Sequence, residues 1–131
     1  MQIDHVGVLV PDLEAASAFA RDVLGLGDPA VTFEAPEHGL AGAFFGMGGA
    51  RLELFTLERR EPSRPDGVDH VAVVVEDLDA EQQRLAGHGV RFTGPATADH
   101  VDAPIEIRGR RHLWTDPATS GGYRIQLTAA S

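Results

Sequence analysis

The sequence predicts an α+β fold made of two tandem βαβββ modules, and internal repetition is the main reason. The stretch 3–15 aligns with the stretch 68–80 at a constant offset of 65, and eight of the 13 positions are identical. Residues 49–54 align with residues 122–127 at an offset of 73. At 131 residues the chain has the size of one ordinary domain. We therefore expect a single domain with three parts, which are module one at 1–57, a linker at 58–67 and module two at 68–131.

The first module is predicted to be a strand, a helix and three further strands. Its opening segment is rich in β-branched residues, alternates in polarity and is bounded by turn residues, which favours a strand. Asp12 suits a helix N-cap, and Gly25 and Gly27 mark the end of the helix. Apolar residues recur between them at helical spacing, namely Leu13, Ala16, Phe19, Val23 and Leu24. The strands of this module are predicted at 3–10, 30–35, 39–47 and 50–57.

The second module repeats this order with a weaker helix pattern. Asp77 is its N-cap candidate, Leu78 and Leu85 are the apolar positions, and Gly87 ends the helix. Its strands are predicted at 68–75, 91–97, 105–115 and 122–129. Between its two aligned blocks this module has eight residues more than the first, and we place them in a loop around 98–104. The linker is polar, rich in proline and short, so the two modules should share one structure.

Composition excludes several functional classes. The chain has 20 acidic residues against 11 arginines and no lysine, which gives a formal net charge of −9 and disfavours nucleic-acid binding. The absence of lysine excludes Schiff-base chemistry, and the absence of cysteine excludes thiolate nucleophiles, disulfides and cysteine-ligated metals. No apolar run approaches the roughly 18 residues of a membrane span, and no basic segment precedes an apolar one. We expect a cytoplasmic protein that binds neither nucleic acid nor a membrane.

Strand alternation places four polar side chains on one face of the predicted sheet. In the first strand Val6, Val8 and Val10 form an apolar face, which leaves His5 on the other face. The same alternation applies to three other strands, in which the side chains opposite the apolar face are Glu53, His70 and Gln126. If an approximate two-fold axis relates the modules, His5 and His70 are symmetry mates, as are the two oxygen-bearing side chains. The four groups would then converge near the axis.

Such a set of two imidazoles and two side-chain oxygens suits a divalent cation of intermediate softness. Zinc, nickel, cobalt, manganese and ferrous iron all fit this donor set. A lone histidine at a strand start is more often an ordinary hydrogen-bonded residue, and the repetition is what favours a metal site here. The remaining histidines have no repeat mate and are predicted to be ordinary residues; they are His38, His88, His100 and His112.

Arginines are the candidate contacts for an anionic substrate. Arg51 and Arg124 are repeat mates, each two residues before an oxygen ligand and therefore on the same face. Both are candidate substrate-binding residues, and the alternative is that each pairs with a carboxylate. A denser basic cluster, of Arg108, Arg110 and Arg111, could hold phosphate or carboxylate groups, although a solvated strand edge explains it better.

These features resemble the vicinal oxygen chelate superfamily, whose members are built from paired βαβββ modules around a metal site. Within it, the chain is most similar to the methylmalonyl-CoA epimerases, and the resemblance spans nearly the whole chain. It implies a curved, barrel-like mixed sheet and a bound divalent metal ion. The segments that carry the resemblance are Ile3-Asp4-His5-Val6-Gly7-Val8, Asp22-Val23-Leu24-Gly25-Leu26, Gly67-Val68-Asp69-His70-Val71-Ala72 and Asp116-Pro117-Ala118-Thr119-Ser120-Gly121-Gly122.

The resemblance also implies an activity and its catalytic residues. Glu37-His38-Gly39-Leu40 resembles the Glu-Gln-Gly-Val segment of the epimerases, in which the Glu is an acid/base residue. The implied enzyme is a metal-dependent epimerase or isomerase that moves a proton next to a carbonyl of a methylmalonyl-CoA-like thioester. The epimerases carry Gln in the first module and Glu in the second, whereas Glu53 and Gln126 are exchanged here. Because an amide cannot act as a base, we expect Glu37 and Glu53 to be the acid/base pair.

Three alternatives remain open at this point. A glyoxalase I-like lyase would use the same proton chemistry on a glutathione adduct. A ferrous-iron dioxygenase would need only the two histidines and one carboxylate. A metal-free protein that binds or sequesters a small molecule would use the same scaffold without the metal. In each case the partner is a small molecule, and a homodimer is the expected assembly on base rates.

Overall fold

Ten strands form one continuous mixed sheet in the computed structural model, which describes residues 1–130. The sheet is curved and open, and few helices accompany it, which confirms the predicted α+β class. The order of strands across the sheet is β2-β3-β4-β1-β5-β10-β9-β6-β7, and β8 pairs separately with β9. The strands are β1 Gln2–Leu9, β2 Val31–Ala35, β3 Leu40–Met47, β4 Ala50–Leu57, β5 Gly67–Val75, β6 Phe92–Thr93, β7 His100–Val101, β8 Ile105–Ile107, β9 Arg110–Thr115 and β10 Ile125–Ala129.

The two repeats meet where their first strands pair side by side. β1 and β5 are antiparallel neighbours in the middle of the sheet. On its other side β1 pairs in parallel with β4, and β5 pairs in parallel with β10 in the same way. The four strands of the first repeat thus have counterparts in the same order in the second repeat, which adds β7 and β8. The β1–β5 seam runs between the repeats.

Each repeat carries one helix after its first strand, as predicted. The helices are α1, Leu13–Ala18, and α2, Leu78–Ala86. The carboxylates of Asp12 and Asp77 accept hydrogen bonds of 3.0 Å from Ala15 N and Ala80 N, so both predicted N-caps are confirmed. Two short 3₁₀ turns, Pro36–His38 and Pro117–Thr119, follow β2 and β9. Among residues 1–130 no helix is long and apolar enough to cross a membrane.

The apolar pattern predicted for the first helix is wrong in its second half. After α1 the chain widens into a π-helical segment, Phe19–Val23, in which Leu24 N donates to Phe19 O. This wider turn changes the phase of the side chains. Val23 and Leu24, at and beyond the end of this turn, are exposed, and Phe19 is exposed as well, whereas Ala20, seven residues after Leu13 and on the same face, is buried.

Three apolar clusters cover the two faces of the sheet. One lies under α1 and includes Ala20, Phe45 and Leu54, and a second lies around α2 and includes Leu78 and Leu127. The third cluster belongs to the opposite, concave face and joins both repeats; its buried members are Leu9, Ala35, Leu40, Phe55, Leu57, Ile107 and Trp114. The concave face therefore has an apolar floor that surrounds the polar groups described below.

The predicted strand 105–115 is a hairpin, not a single strand. β8 and β9 pair in antiparallel register, and the two residues between them, Arg108 and Gly109, have φ angles of 53° and 81°. Positive φ at both central residues is the requirement of a tight two-residue turn, which usually contains Asn-Gly or Asp-Gly. The predicted strand 91–97 is also shorter in the structure, since only β6 within it pairs, before Gly94 and Pro95.

Candidate metal centre

Two rows across the sheet bring four polar side chains together. In the first row Gly7 of β1 lies between Glu53 of β4 and His70 of β5. In the second row Ala72 of β5 lies between His5 of β1 and Gln126 of β10. A small residue in the middle of each row leaves room for the outer side chains to converge. Gly7 is essential for this, since a Cβ at that position would lie 2.2 Å from Cε1 of His70.

The donor atoms of these side chains lie within hydrogen-bonding distance of one another. His5 Nε2 is 3.4 Å from His70 Nε2, 3.4 Å from Glu53 Oε1 and 3.2 Å from Gln126 Oε1. Glu53 Oε1 is also 3.2 Å from His70 Nε2. All four residues are buried. The structure thus brings the four predicted ligand residues to one point.

The arrangement fits a divalent cation. Two imidazole nitrogens and one carboxylate oxygen all lie within 4.8 Å of one another. With ligands about 2.1 Å from a cation, neighbouring donors are about 3.0 to 3.4 Å apart in octahedral or tetrahedral coordination. The donor–donor distances of 3.2 to 3.4 Å agree with that spacing. Mixed nitrogen and oxygen donors suit zinc, cobalt, nickel, manganese and ferrous iron.

The far side of each imidazole is held by the preceding aspartate. Asp4 Oδ2 lies 2.7 Å from His5 Nδ1, and Asp69 Oδ2 lies 2.7 Å from His70 Nδ1. A carboxylate on Nδ1 fixes the ring and leaves the lone pair of Nε2 for a metal, an arrangement typical of histidine ligands. The repeated Asp-His dipeptide therefore places a candidate ligand and its supporting carboxylate in adjacent residues.

Arginines neutralise the two supporting aspartates. Arg51 Nη2 donates to Asp4 over 2.7 Å, and Arg124 Nη1 donates to Asp69 over 2.9 Å. Arg64, a buried linker residue, makes two further bonds of 2.8 Å to Asp69. Burial raises the pKa of the Asp69 carboxyl, but the bonds from Arg64 and His70 outweigh it and hold that pKa well below its usual range.

The cluster is charged even though it is buried. Burial raises the pKa of Glu53, but hydrogen bonds from His5 and His70 outweigh this effect and lower it to about 2. Burial acts in the opposite direction on His70, where the bonds to Asp69 and Glu53 raise the pKa above its usual value. Glu53 is therefore an anion at neutral pH, the form in which a carboxylate can bind a cation.

The cluster opens into a cavity of about 270 Å³ on the concave face. Phe44 packs edge-on against His5 with ring centroids 5.1 Å apart, and Phe55 lies 5.4 Å from His70. The guanidinium of Arg51 lies 4.3 Å from the Phe44 centroid. The rest of the wall combines apolar and cationic side chains, which include Val31, Phe33, Leu40, Ile107, Trp114, Arg108 and Arg110. The wall of the cavity accordingly offers both apolar surface and positive charge.

The other predicted site residues lie in different places. Arg51 lines the cavity, whereas Arg124 lines a separate cavity on the side of module two. Both are paired with a carboxylate, which is the alternative considered for them above. Glu37 lies on the Pro36–His38 turn with 62% of its side chain exposed, and it lines a third cavity with Glu58 and Arg59. The structure does not bring Glu37 into the cavity of the cluster.

Sequence reasoning missed four residues that contribute to this site. Asp4 and Asp69 could have been found from the sequence, because the Asp-His dipeptide is repeated. Arg64 had no sequence signal, because it stands in a linker and has no repeat mate. His112 is the ordinary hydrogen-bonded residue that was predicted, but the sequence did not reveal that its ring lines the cavity and that its Nδ1 lies 3.1 Å from Gln126 Nε2. Burial and the nearby Arg110 lower the pKa of His112 to about 4, so the ring is neutral at neutral pH.

Comparisons with known proteins agree with this architecture. The chain is 31% identical over 137 residues to mouse mitochondrial methylmalonyl-CoA epimerase, with 98% of this chain and 73% of the mouse protein covered. It is 29% identical over 136 residues to the ethylmalonyl-CoA/methylmalonyl-CoA epimerase of Cereibacter sphaeroides, with 96% of each chain covered. Methylmalonyl-CoA epimerase from Mycobacterium tuberculosis shares the fold with a TM-score of 0.82 at 24% identity, with 99% of this chain and 88% of that chain covered.

A family model covers almost the entire chain and confirms the resemblance found in the sequence. It matches residues 2–127 and describes the Glyoxalase/Bleomycin resistance protein/Dioxygenase superfamily, which corresponds to the vicinal oxygen chelate fold. The chain belongs to the Glyoxalase/Bleomycin resistance protein/Dioxygenase superfamily.

Proposed function

We propose that this protein is a metal-dependent epimerase that moves a proton next to the carbonyl of a methylmalonyl-CoA-like thioester. The observation that carries the proposal is the convergence of His5, Glu53, His70 and Gln126 at one end of a partly apolar cavity. The similarity to the epimerases of mouse and Cereibacter supports it independently of that geometry. A cytoplasmic location and a homodimer stay predictions.

His5, Glu53, His70 and Gln126 would hold a divalent cation in this enzyme. Such a cation supplies a Lewis acid for the carbonyl and carboxylate oxygens of the substrate, which stabilises the negative charge that develops when the proton leaves. The chain's own contribution is to fix both imidazoles through Asp4 and Asp69 and to keep the cluster buried.

Epimerisation needs an acid/base group on each face of the planar enolate, because the proton leaves from one face and returns to the other. Glu53 is ionised and lies at the cavity, so it is our candidate for one face. Glu37 is our candidate for the second face, on the basis of the sequence resemblance. Since its side chain lines another cavity, Glu37 could act only if the Pro36–His38 turn moved it toward the cluster.

The cationic side chains of the cavity are suited to an anionic substrate. Arg51 is bound to Asp4, and Arg110 donates to the Ala129 carbonyl over 2.8 and 3.1 Å. Arg108 has no carboxylate partner within residues 1–130, and its turn forms part of the cavity wall. We propose that Arg108 and Arg51 bind the carboxylate or phosphate groups of an acyl-CoA. Arg124 stays a candidate from the sequence, with its guanidinium engaged by Asp69.

A metal panel combined with hydrogen exchange tests this function. The purified protein is loaded separately with cobalt, nickel, manganese, zinc and ferrous iron, and deuterium uptake from heavy water is followed in acyl-CoA and hemithioacetal substrates. We expect uptake in malonyl-type thioesters only. Uptake in the hemithioacetal alone would indicate a glyoxalase I-like lyase, and oxygen consumption with ferrous iron would indicate a dioxygenase. No uptake with any bound metal would contradict proton transfer altogether.

A further inference from the structure

The amide of Gln126 has two chemically different ends, and only one of them can bind a cation. The carbonyl oxygen is an acceptor, whereas the NH₂ group offers two donors and no lone pair for a metal. In the structure Oε1 faces the cluster, 3.2 Å from His5 Nε2. A rotation of the amide by half a turn would place the NH₂ group there instead. Something must therefore hold the amide in its present orientation.

His112 and Thr128 contact the NH₂ end of this amide. Gln126 Nε2 lies 3.1 Å from His112 Nδ1 and 3.2 Å from Thr128 Oγ1. The last two atoms are 3.0 Å apart, so the three polar groups all lie within hydrogen-bonding distance of one another. Gln126 and Thr128 are almost fully buried, at 4% and 1% exposure, and no bulk water competes for these bonds.

The strand register explains why these three side chains meet. His112 of β9 is paired with Thr128 of β10, and Gln126 stands two residues before Thr128 on the same face. The ring of Trp114, 5.7 Å from the His112 ring, supports the imidazole from the side. With the ring proton of His112 on Nε2, Nδ1 accepts one NH of the amide and Thr128 Oγ1 accepts the other, which leaves the carbonyl oxygen for the cluster.

We propose that His112 is a positioning residue that, together with Thr128, fixes the amide of Gln126 so that its oxygen and not its nitrogen faces the cation. The proposal rests on the metal centre put forward above. It explains how an amide can serve as a ligand at this position without a charge to orient it. A carboxylate would not need this support, because its two oxygens are equivalent.

Cobalt binding without turnover tests the proposal. We expect His112→Leu to weaken cobalt binding by about tenfold or more, as losses of a ligand's supporting partner do. Its visible cobalt spectrum should match that of Gln126→Leu. His112→Asn, whose Oδ1 can take the place of Nδ1, should retain most of the affinity. His100→Leu, which changes a histidine outside the cavity, is the matched control and should bind cobalt as the unchanged protein does.

The decisive comparison uses the Gln126→Glu background. With a carboxylate at this position, adding His112→Leu should change cobalt affinity far less than it does in the unchanged protein. If His112→Leu lowers cobalt affinity equally in both backgrounds, or in neither, the proposal is overturned and His112 has only a packing role. If the unchanged protein binds no cobalt, this proposal and the metal centre fail together. Deuterium exchange is measured separately. If the cobalt affinities follow the expected pattern but no deuterium is exchanged, the result counts against the proposed reaction alone.

Discussion

At the scale of single residues, the site depends on the absence of a side chain at Gly7 as much as on the four polar side chains that converge. Gly7 lies between Glu53 and His70 in its row, and a Cβ there would meet three atoms of the His70 ring at 2.2 to 2.7 Å. His70 is buried and has little space to retreat. The ring would have to turn, and its Nε2 would leave the cluster.

Gly7→Ala is therefore expected to damage metal binding and activity more than one methyl group normally would. We expect a loss of at least about tenfold in cobalt affinity, with a cost of about 1–3 kcal/mol in the free energy of unfolding from overpacking. Calorimetric titration with cobalt and chemical denaturation measure the two effects. Gly46→Ala, in β3 with nothing within 4 Å of the added Cβ, is the control. Equal affinities of both variants would contradict the prediction.

Glu53→Gln should disturb catalysis far more than folding. The substitution keeps the shape of the side chain and removes its charge, so we expect deuterium exchange to fall by about 100-fold or more. The thermal midpoint should fall too, because the lowered pKa of Glu53 shows that its charge stabilises the fold, but the protein should stay folded. Glu106→Gln, at an exposed position of β8, is the matched control. Unchanged exchange in the Glu53 variant would remove this residue from the mechanism.

The sequence predicted which four side chains meet at the cluster because repetition doubled a weak signal. One histidine on a strand says little, but His5 and His70 at equivalent positions define an axis and hence a meeting point. His112 has no mate in module one, and it was placed in a single long strand whose real turn was not recognised. Its contact with Gln126 depends on the β9–β10 register, which no local pattern reveals.

At the scale of elements, the turn of the β8–β9 hairpin combines an unfavourable backbone conformation with an exposed arginine. Arg108 has a φ of 53°, the left-handed region that a non-glycine residue enters at a cost of about 1 kcal/mol or more. The same residue lines the cavity. Binding of the substrate by the Arg108 side chain would explain why an arginine occupies this unfavourable backbone conformation.

Arg108→Asn tests this explanation, because asparagine tolerates the left-handed conformation better than arginine does. We expect the thermal midpoint to be unchanged or raised, while KM for an acyl-CoA substrate rises by about tenfold from the loss of one charged hydrogen bond. Arg111→Asn, which breaks a pair with Asp79 outside the cavity, should leave KM unchanged. A KM equal to that of the unchanged protein in the Arg108 variant would contradict the assignment.

Elements with strong local signals were predicted well, and those shaped by long-range contacts were not. Both helix starts follow from an aspartate cap, and most strands agree with the alternating pattern within one or two residues. The hairpin turn was missed because Arg108-Gly109 lacks the usual Asn or Asp before the glycine. The π-helical segment Phe19–Val23 was missed because hydrogen bonding from residue i to residue i+5 leaves no periodic pattern in the sequence.

At the scale of the whole molecule, the proposed cation site spans the seam between the repeats. His5 and Glu53 come from module one, whereas His70 and Gln126 come from module two. A metal that binds only the folded state stabilises it, by about 2.7 kcal/mol at a concentration 100 times the dissociation constant. For a domain of this size that free energy corresponds to a rise of roughly 8 °C in the thermal midpoint.

We expect thermal unfolding to show this rise with the preferred metal and to lose it on addition of a chelator. Sodium at the same concentration is the control, because a monovalent hard cation does not suit imidazole donors. A midpoint that none of the five divalent metals changes would contradict a metal centre across the seam.

The equal division of donors has an evolutionary implication. Each half supplies one imidazole and one oxygen, so a half-length ancestor could have built the whole site by pairing with a second copy of itself along its first strand. Fusion of two such genes would then have freed the halves to diverge. The exchange of Glu for Gln, and of Gly7 for Ala72, is what that divergence would leave behind at the centre of the molecule.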